Sequence, residues 1–448
     1  MAGFDEINLY AEPGRMLGGA RQLAGVAAKL GPAGIRHRAV ELAPAAFGAA
    51  PHSAAAHRSW RQAATLIASY LTAATPAIEA MSEGVYRSSE AYRSGDARVS
   101  EMYRQLLLQR DPDGAVLISK AGIPPGGTHP DAVHDWWQRL DDEQRTTVVA
   151  AQPGLVGALD GVPAAARDRA NRAVLDAEIA HQRELVQQYQ AQQGRGRTSG
   201  VPLRAAENAL AGLDAVRARL QADPQAHLLA ISGAGDGRAV VALGNPDTAG
   251  QVLTYVPGMG SDLGTVPAQL GRMDDILARA PEGTAAIVWL GYDAPDLGPQ
   301  VGFSSYAREA AEPLHRFQEG LRATHVGDPS LNVLLAHSYG STTYGITAAE
   351  HGIAADKVYL IGSIGTNQES AHGFLGTSTS EVYATTHPWD VAHLPPAVDY
   401  YGTDPSDVLF DAQRLPGDYD GVLDSHTAYL HRPEILDNIA GLLTRRRP

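Results

Sequence analysis

One serine in this chain has surroundings that could make it a nucleophile. In Ala336-His337-Ser338-Tyr339-Gly340 it lies between two small residues, after the apolar run Asn332-Val333-Leu334-Leu335 and before a helix expected near Ser341. A sharp strand-to-helix turn needs small residues at both flanks so that strand and helix can pass closely. Such a turn strains the serine backbone, exposes the hydroxyl above a sheet, and sets it at a helix N-terminus that favours developing negative charge. The competing reading is an ordinary turn whose serine caps the helix.

A nucleophilic serine calls for a base, an acid and donors for the oxyanion. The donors expected are the backbone N–H of Tyr339 and that of Met259, with Gly258 and Gly260 letting the backbone approach. The plainer reading of Val256 to Ser261 is a glycine-rich turn, and a phosphate cradle fits less well because no Lys-Ser or Lys-Thr follows. With the partners in the order serine, acid, histidine, Asp390 fits the loop after the strand expected over 381–385. His426 fits the slot before the final helix, where it would take the serine proton while Asp390 holds its tautomer. Asp411 and Asp356 stand behind Asp390, and His431 behind His426. His337 is expected beside the substrate pocket as a packing residue, with Gly258, Gly260 and Tyr292 (in Trp289 to Pro295) as further pocket positions. The other histidines lack metal-ligand spacing, so neither a metal nor a cofactor is expected.

These residues need a frame, and the hydrophobic periodicity supplies one. Short apolar runs at 226–231, 239–243, 251–256, 285–290, 331–336, 357–361, 381–385 and 408–412 read as strands. Helices are expected at 266–280, 304–323, 341–351 and 433–443. The first three strands follow one another by short turns and the rest alternate with helices. That order predicts an α/β fold with a mostly parallel, doubly wound sheet of about eight strands opening on an antiparallel edge. Upstream, residues 1–108 read as an all-α helical hairpin and 109–225 as a linker and helical preface, with a flexible break at 194–200. The catalytic region is then 226–448.

At 448 residues with 44% apolar and 19% charged residues, the chain is globular and long enough for two or three domains. A formal charge of −14 argues against nucleic acid and anionic lipid surfaces as partners. The chain has no cysteine, which excludes disulfides and thiolate chemistry. Neither an ordinary signal peptide nor a membrane-spanning run is expected.

The stretch from about 130 to 445 resembles an actinobacterial α/β-hydrolase family of unknown function. The matching pieces are Val256-Pro257-Gly258-Met259-Gly260, Trp289-Leu290-Gly291-Tyr292, the turn at Ser338 and the segment around His426. Upstream they are Trp136-Trp137-Gln138-Arg139-Leu140, Gln152 to Gly157 and Asp160 to Arg172. That family usually has Gly where this chain has Ala336. The resemblance implies the α/β-hydrolase fold and a triad, without a known substrate. The first hundred residues resemble the helical hairpins of type VII secretion targets and WXG-like proteins. Tyr86 with Glu90 and Tyr92 with Asp96 match the spacing of their export signal, although no WXG tripeptide is present. This implies either export by that machinery, with a helical partner, or a hairpin with a structural role. The chain is accordingly expected in the cytoplasm or outside the cell. The activity expected is hydrolysis of a small or lipid-like carboxylic ester, of esterase or lipase type. The alternatives are an acyltransferase with the same triad and a secretion-associated interaction protein on a hydrolase scaffold.

Overall fold

The computed structural model describes residues 122–193, 201–233, 237–295, 304–387, 390, 401–417 and 425–444, all within the unit Asp113–Pro448. The hairpin expected over 1–108 and the break at 194–200 lie outside the described residues.

The preface is helical, as its periodicity predicts. It comprises α1 (Pro130–Arg139), α2 (Asp142–Ala151), α3 (Pro153–Gly157), α4 (Ala164–Gln193) and α5 (Val201–Ala222). Proline in the first turn opens α1 and α3, where no helical N–H is required. Asp141 and Gln144 form a reciprocal capping box at α2, with bonds of 2.8 and 3.0 Å. Val133, Trp136, Trp137, Val148 and Val156 bury a small core of their own.

The sheet comprises β1 (Ala226–Ser232), β2 (Arg238–Leu243), β3 (Gln251–Val256), β4 (Thr284–Leu290), β5 (Leu331–His337), β6 (Lys357–Ile361), β7 (Val382–Thr385) and β8 (Gln413–Arg414). Its spatial order is β1-β2-β4-β3-β5-β6-β7-β8. β2 runs antiparallel to both β1 and β4, and every other pairing is parallel. This is the α/β-hydrolase fold, with the antiparallel edge and parallel body expected from the sequence. Helices α6 (Val266–Leu277), α7 (Ser305–Thr324), α8 (Tyr339–Glu350), α9 (Ser425–Ala428) and α10 (Pro433–Leu442) complete the domain.

Strand alternation divides the core. Val252, Val256, Leu334 and Ala336 pack on one face with Leu314 and Phe317 of α7 and Tyr344 of α8. Leu253, Tyr255, Val333 and Leu335 pack on the other with Leu270 of α6, Leu213 of α5 and Ile439 of α10. The edge strand β1 is covered by α4. Asp168 accepts from Leu228 N at 2.8 Å, Asn171 donates to Leu228 O at 3.1 Å, and Arg172 donates to Ala226 O at 3.1 Å.

One strand was misplaced by the hydrophobic pattern. Residues 408–412 do not form it; Val408–Phe410 is a 3-10 turn and β8 is Gln413–Arg414. Asp407 accepts from Leu409 N at 2.8 Å and Asp411 adopts φ 66°, so two flanking acids favour a turn. Only Phe410 of the run is buried, while Val408 and Leu409 are exposed. The helix after β5 also begins at Tyr339, two residues earlier than expected. No helix among the described residues is long and apolar enough to cross a membrane.

Candidate active site

Ser338 follows the last residue of β5 and precedes the first residue of α8, with φ 55° and ψ −126°. This backbone region is costly for a residue with a Cβ, at about 1–3 kcal/mol. Its side chain makes no helix-capping hydrogen bond. Instead Oγ lies 2.8 Å from His426 Nε2. The turn is held by Ser338 N donating to Ile361 O on β6 at 3.1 Å. At Gly340, a Cβ would fall 2.4 Å from Val256 O, so the second small residue lets α8 pass the end of β3. Ala336 is fully buried and fits as the first.

His426 sits on α9 with its ring largely buried, and its Nδ1 lies 2.7 Å from Asp390 Oδ1. Asp390 is fully buried beyond β7. A carboxylate on Nδ1 sets the tautomer in which Nδ1 carries the proton, leaving Nε2 to accept from Ser338. The expected three residues therefore meet in one hydrogen-bonded line. None of the rivals joins it. Asp411 pairs with exposed His372 at 3.0 Å, Asp356 binds Arg322 and the backbone N–H of Asn332, and His431 is exposed.

The glycine loop lies against Ser338. A Cβ on Gly258 would meet Ser338 Cβ at 2.7 Å and His337 O at 2.9 Å. Gly260, at φ 68°, donates its N–H to Pro295 O at 2.9 Å, tying the loop to the segment after β4. Among the described residues no acceptor is bonded to the Met259 N–H. Tyr339 is the first residue of α8, where N–H groups project from the helix. Its buried phenol accepts from Ala307 N at 3.3 Å.

Tyr292 is buried in the core, stacked on Trp289 with ring centroids 6.0 Å apart. Its hydroxyl donates to Pro257 O at 2.7 Å, so it acts on the site by holding the loop. Burial pushes its phenol well above the ordinary range, which keeps it a donor. His337 Nε2 donates to the backbone carbonyl of His426 at 2.7 Å, and the two rings lie 5.2 Å apart. Burial, aided by the neighbouring His426, pushes His337 down to about 3, so it is neutral wherever the line could work.

Two residues at the site escaped the sequence reading. Tyr429 donates its hydroxyl to Asp390 Oδ2 at 2.6 Å and accepts from His387 N at 2.8 Å. Gly362, at φ 52°, makes room for that contact, since a Cβ there would lie 2.7 Å from the Tyr429 ring and 3.3 Å from Asp390 Oδ2. The available signals were a tyrosine one turn after His426 and a glycine just past β6.

Comparison with known proteins agrees with this architecture. A family model described as alpha/beta hydrolase matches residues 232–399, which includes Ser338 and Asp390 and stops before His426. The chain is 30% identical over 343 residues to the uncharacterized protein Rv2079 of Mycobacterium tuberculosis H37Rv. That alignment covers 71% of this chain and 48% of the relative, so the chain spans about half of that protein's length. It is 34% identical over 216 residues to the uncharacterized protein Mb0988c of Mycobacterium bovis, covering 44% of this chain and 80% of the relative.

Proposed function

Because this chain belongs to the alpha/beta-hydrolase family, we propose that it is a serine hydrolase that cleaves carboxylic esters through Ser338, His426 and Asp390. One observation carries the reading: Ser338 Oγ, on a strained turn, is hydrogen-bonded to His426 Nε2 while Asp390 engages the opposite nitrogen. A serine serving only the fold would not need that backbone cost or that histidine.

Ser338 Oγ attacks the ester carbonyl carbon as its proton passes to His426 Nε2. The oxyanion forms against the N–H groups of Tyr339 and Met259, an interaction whose loss commonly costs about 10²–10³-fold in rate. Collapse expels the alcohol, which takes the proton from His426. Water, deprotonated by the same nitrogen, then attacks the acyl-enzyme; His426 returns that proton to Ser338 Oγ as the acid leaves. Asp390 stabilises the imidazolium in both halves, and His337, neutral, adds no opposing charge beside it.

The test is labelling with a fluorophosphonate, followed by turnover of p-nitrophenyl esters of increasing acyl length. Wild type labels, Ser338→Ala does not, and His426→Ala labels at least about 10³-fold more slowly. The ester series then sizes the acyl pocket. Folded wild type that fails to label removes the serine-hydrolase reading and favours a non-catalytic scaffold.

A further inference from the structure

We propose that Tyr429 is a positioning residue for this chemistry, fixing Asp390 through its second carboxylate oxygen; the inference rests on the serine-hydrolase reading. Asp390 has no exposure to solvent, so its orientation depends on protein partners. Its Oδ1 faces His426 Nδ1 at 2.7 Å and its Oδ2 receives the Tyr429 hydroxyl at 2.6 Å. A carboxylate held by one oxygen can rotate about Cβ–Cγ, whereas one held by both keeps its plane.

The direction of the phenolic proton is determined by the network. His387 N can only donate, so the Tyr429 oxygen accepts there, at 2.8 Å. The single hydroxyl proton is left for Asp390. Asp390 N in turn donates to His387 O at 2.9 Å, closing the loop that carries the acid onto the same residue. Tyr429 follows His426 by three residues in one continuous helical turn, 425–431. The base and the phenol therefore grip the two oxygens of Asp390 from one short segment. His337 ties that segment to the nucleophile's own strand, with its ring 6.0 Å from Tyr429.

The consequence concerns charge as well as orientation. The phenol draws electron density from Oδ2 and tempers the carboxylate's hold on the imidazolium. Removing the hydroxyl takes away a donor that holds Oδ2, so the carboxylate plane is less firmly fixed and the group, when aligned, is a stronger partner for protonated His426. In Tyr429→Phe the acylation rate with a p-nitrophenyl ester falls roughly 10- to 100-fold while KM stays within about twofold. The acid limb of kcat/KM moves to higher pH. With 3-fluorotyrosine at 429, a stronger donor of nearly the same shape, it moves to lower pH. In an Asp390→Ala background, which leaves no side-chain acceptor for the phenol, Tyr429→Phe costs no more than about twofold, because the partner through which it acts is gone.

Circular dichroism and a thermal melt accompany each variant, and the fluorotyrosine protein carries the test if Tyr429→Phe does not fold. A folded Tyr429→Phe protein with wild-type rate and an unmoved acid limb overturns the proposal. So does an equal loss in the Asp390→Ala background, or a fluorotyrosine limb that stays put. Wild type that does not label at Ser338 overturns the hydrolase reading first, and this inference falls with it.

Discussion

At the scale of single residues, the site depends on neighbours that resist titration and strain. Ser338 stays at φ 55° because its N–H is bonded to Ile361 O and because the residues around it leave room. His337, beside it, holds the carbonyl of His426 with a ring pushed down to about 3, against an ordinary value of about 6.5. The unfolded chain would take up a proton near 6.5 and the folded chain only near 3. Between those values the unfolded state binds more protons, so acidification favours unfolding, by no more than about 1.4 kcal/mol per pH unit. His337→Gln keeps an amide donor near the position of Nε2 and cannot titrate. Urea midpoints measured from pH 7 down to pH 4 should fall less steeply in that variant than in wild type. Equal slopes would mean that His337 is not the group whose protonation is suppressed. That Ser338, Asp390 and His426 would meet was legible in the sequence because the order serine, acid, histidine could be placed on elements whose period could be read. Tyr429 was not, since its partner lies on a loop 39 residues away in sequence and nothing local distinguishes it from a core tyrosine.

At the scale of elements, the geometry of the turn at Ser338 depends on how closely α8 passes β3. Gly340 is the contact, with its would-be Cβ 2.4 Å from Val256 O and 2.9 Å from Pro257 O. Both are backbone atoms at the root of the loop Val256 to Ser261, so neither can swing aside. Gly340→Ala should push α8 off the sheet, destabilise the domain by about 1–3 kcal/mol, and slow fluorophosphonate labelling out of proportion to the lost stability. Denaturation midpoint and labelling rate, measured together, check it; an unchanged rate would show that the loop relaxes freely. The strands were readable where burial is continuous, as in β3 to β6, because apolar runs bounded by turn residues have few other uses. The reading failed at 408–412 because an apolar run between two aspartates can satisfy its backbone locally. Only Phe410 of the run is fully buried, with Ala412 packed half-buried against the core, and the true β8 is two exposed residues whose identity comes from pairing with β7 alone.

At the scale of the whole described unit, the helical preface is part of the hydrolase and not an appendage to it. The two share a buried joint at Asp247, whose carboxylate accepts from Ala164 N at the start of α4 at 2.7 Å and from Thr324 Oγ1 at the end of α7 at 2.6 Å. Burial raises the Asp247 pKa, while those two donors oppose the rise, so each element helps to hold the buried carboxylate. The preface also closes the sheet. An edge strand with free N–H and C=O groups is a template for pairing with another chain, and α4 occupies that edge through Asp168, Asn171 and Arg172. Leu175 and Ile179 of α4 and Leu213 and Val216 of α5 further cover the apolar face to which Leu228 of β1 belongs. A protein of residues 226–448 should therefore self-associate, although it holds the whole sheet and all three residues of the Ser338 line. One of residues 113–448 should stay monomeric on size-exclusion chromatography and label at Ser338. Within the longer protein, Asp168→Ala with Asn171→Ala uncovers the Leu228 backbone without deleting a helix, and should lower stability by roughly 2–5 kcal/mol. A monomeric, labelling-competent 226–448 protein would show that the boundary before β1 separates two independent domains, and the edge argument would fail with it.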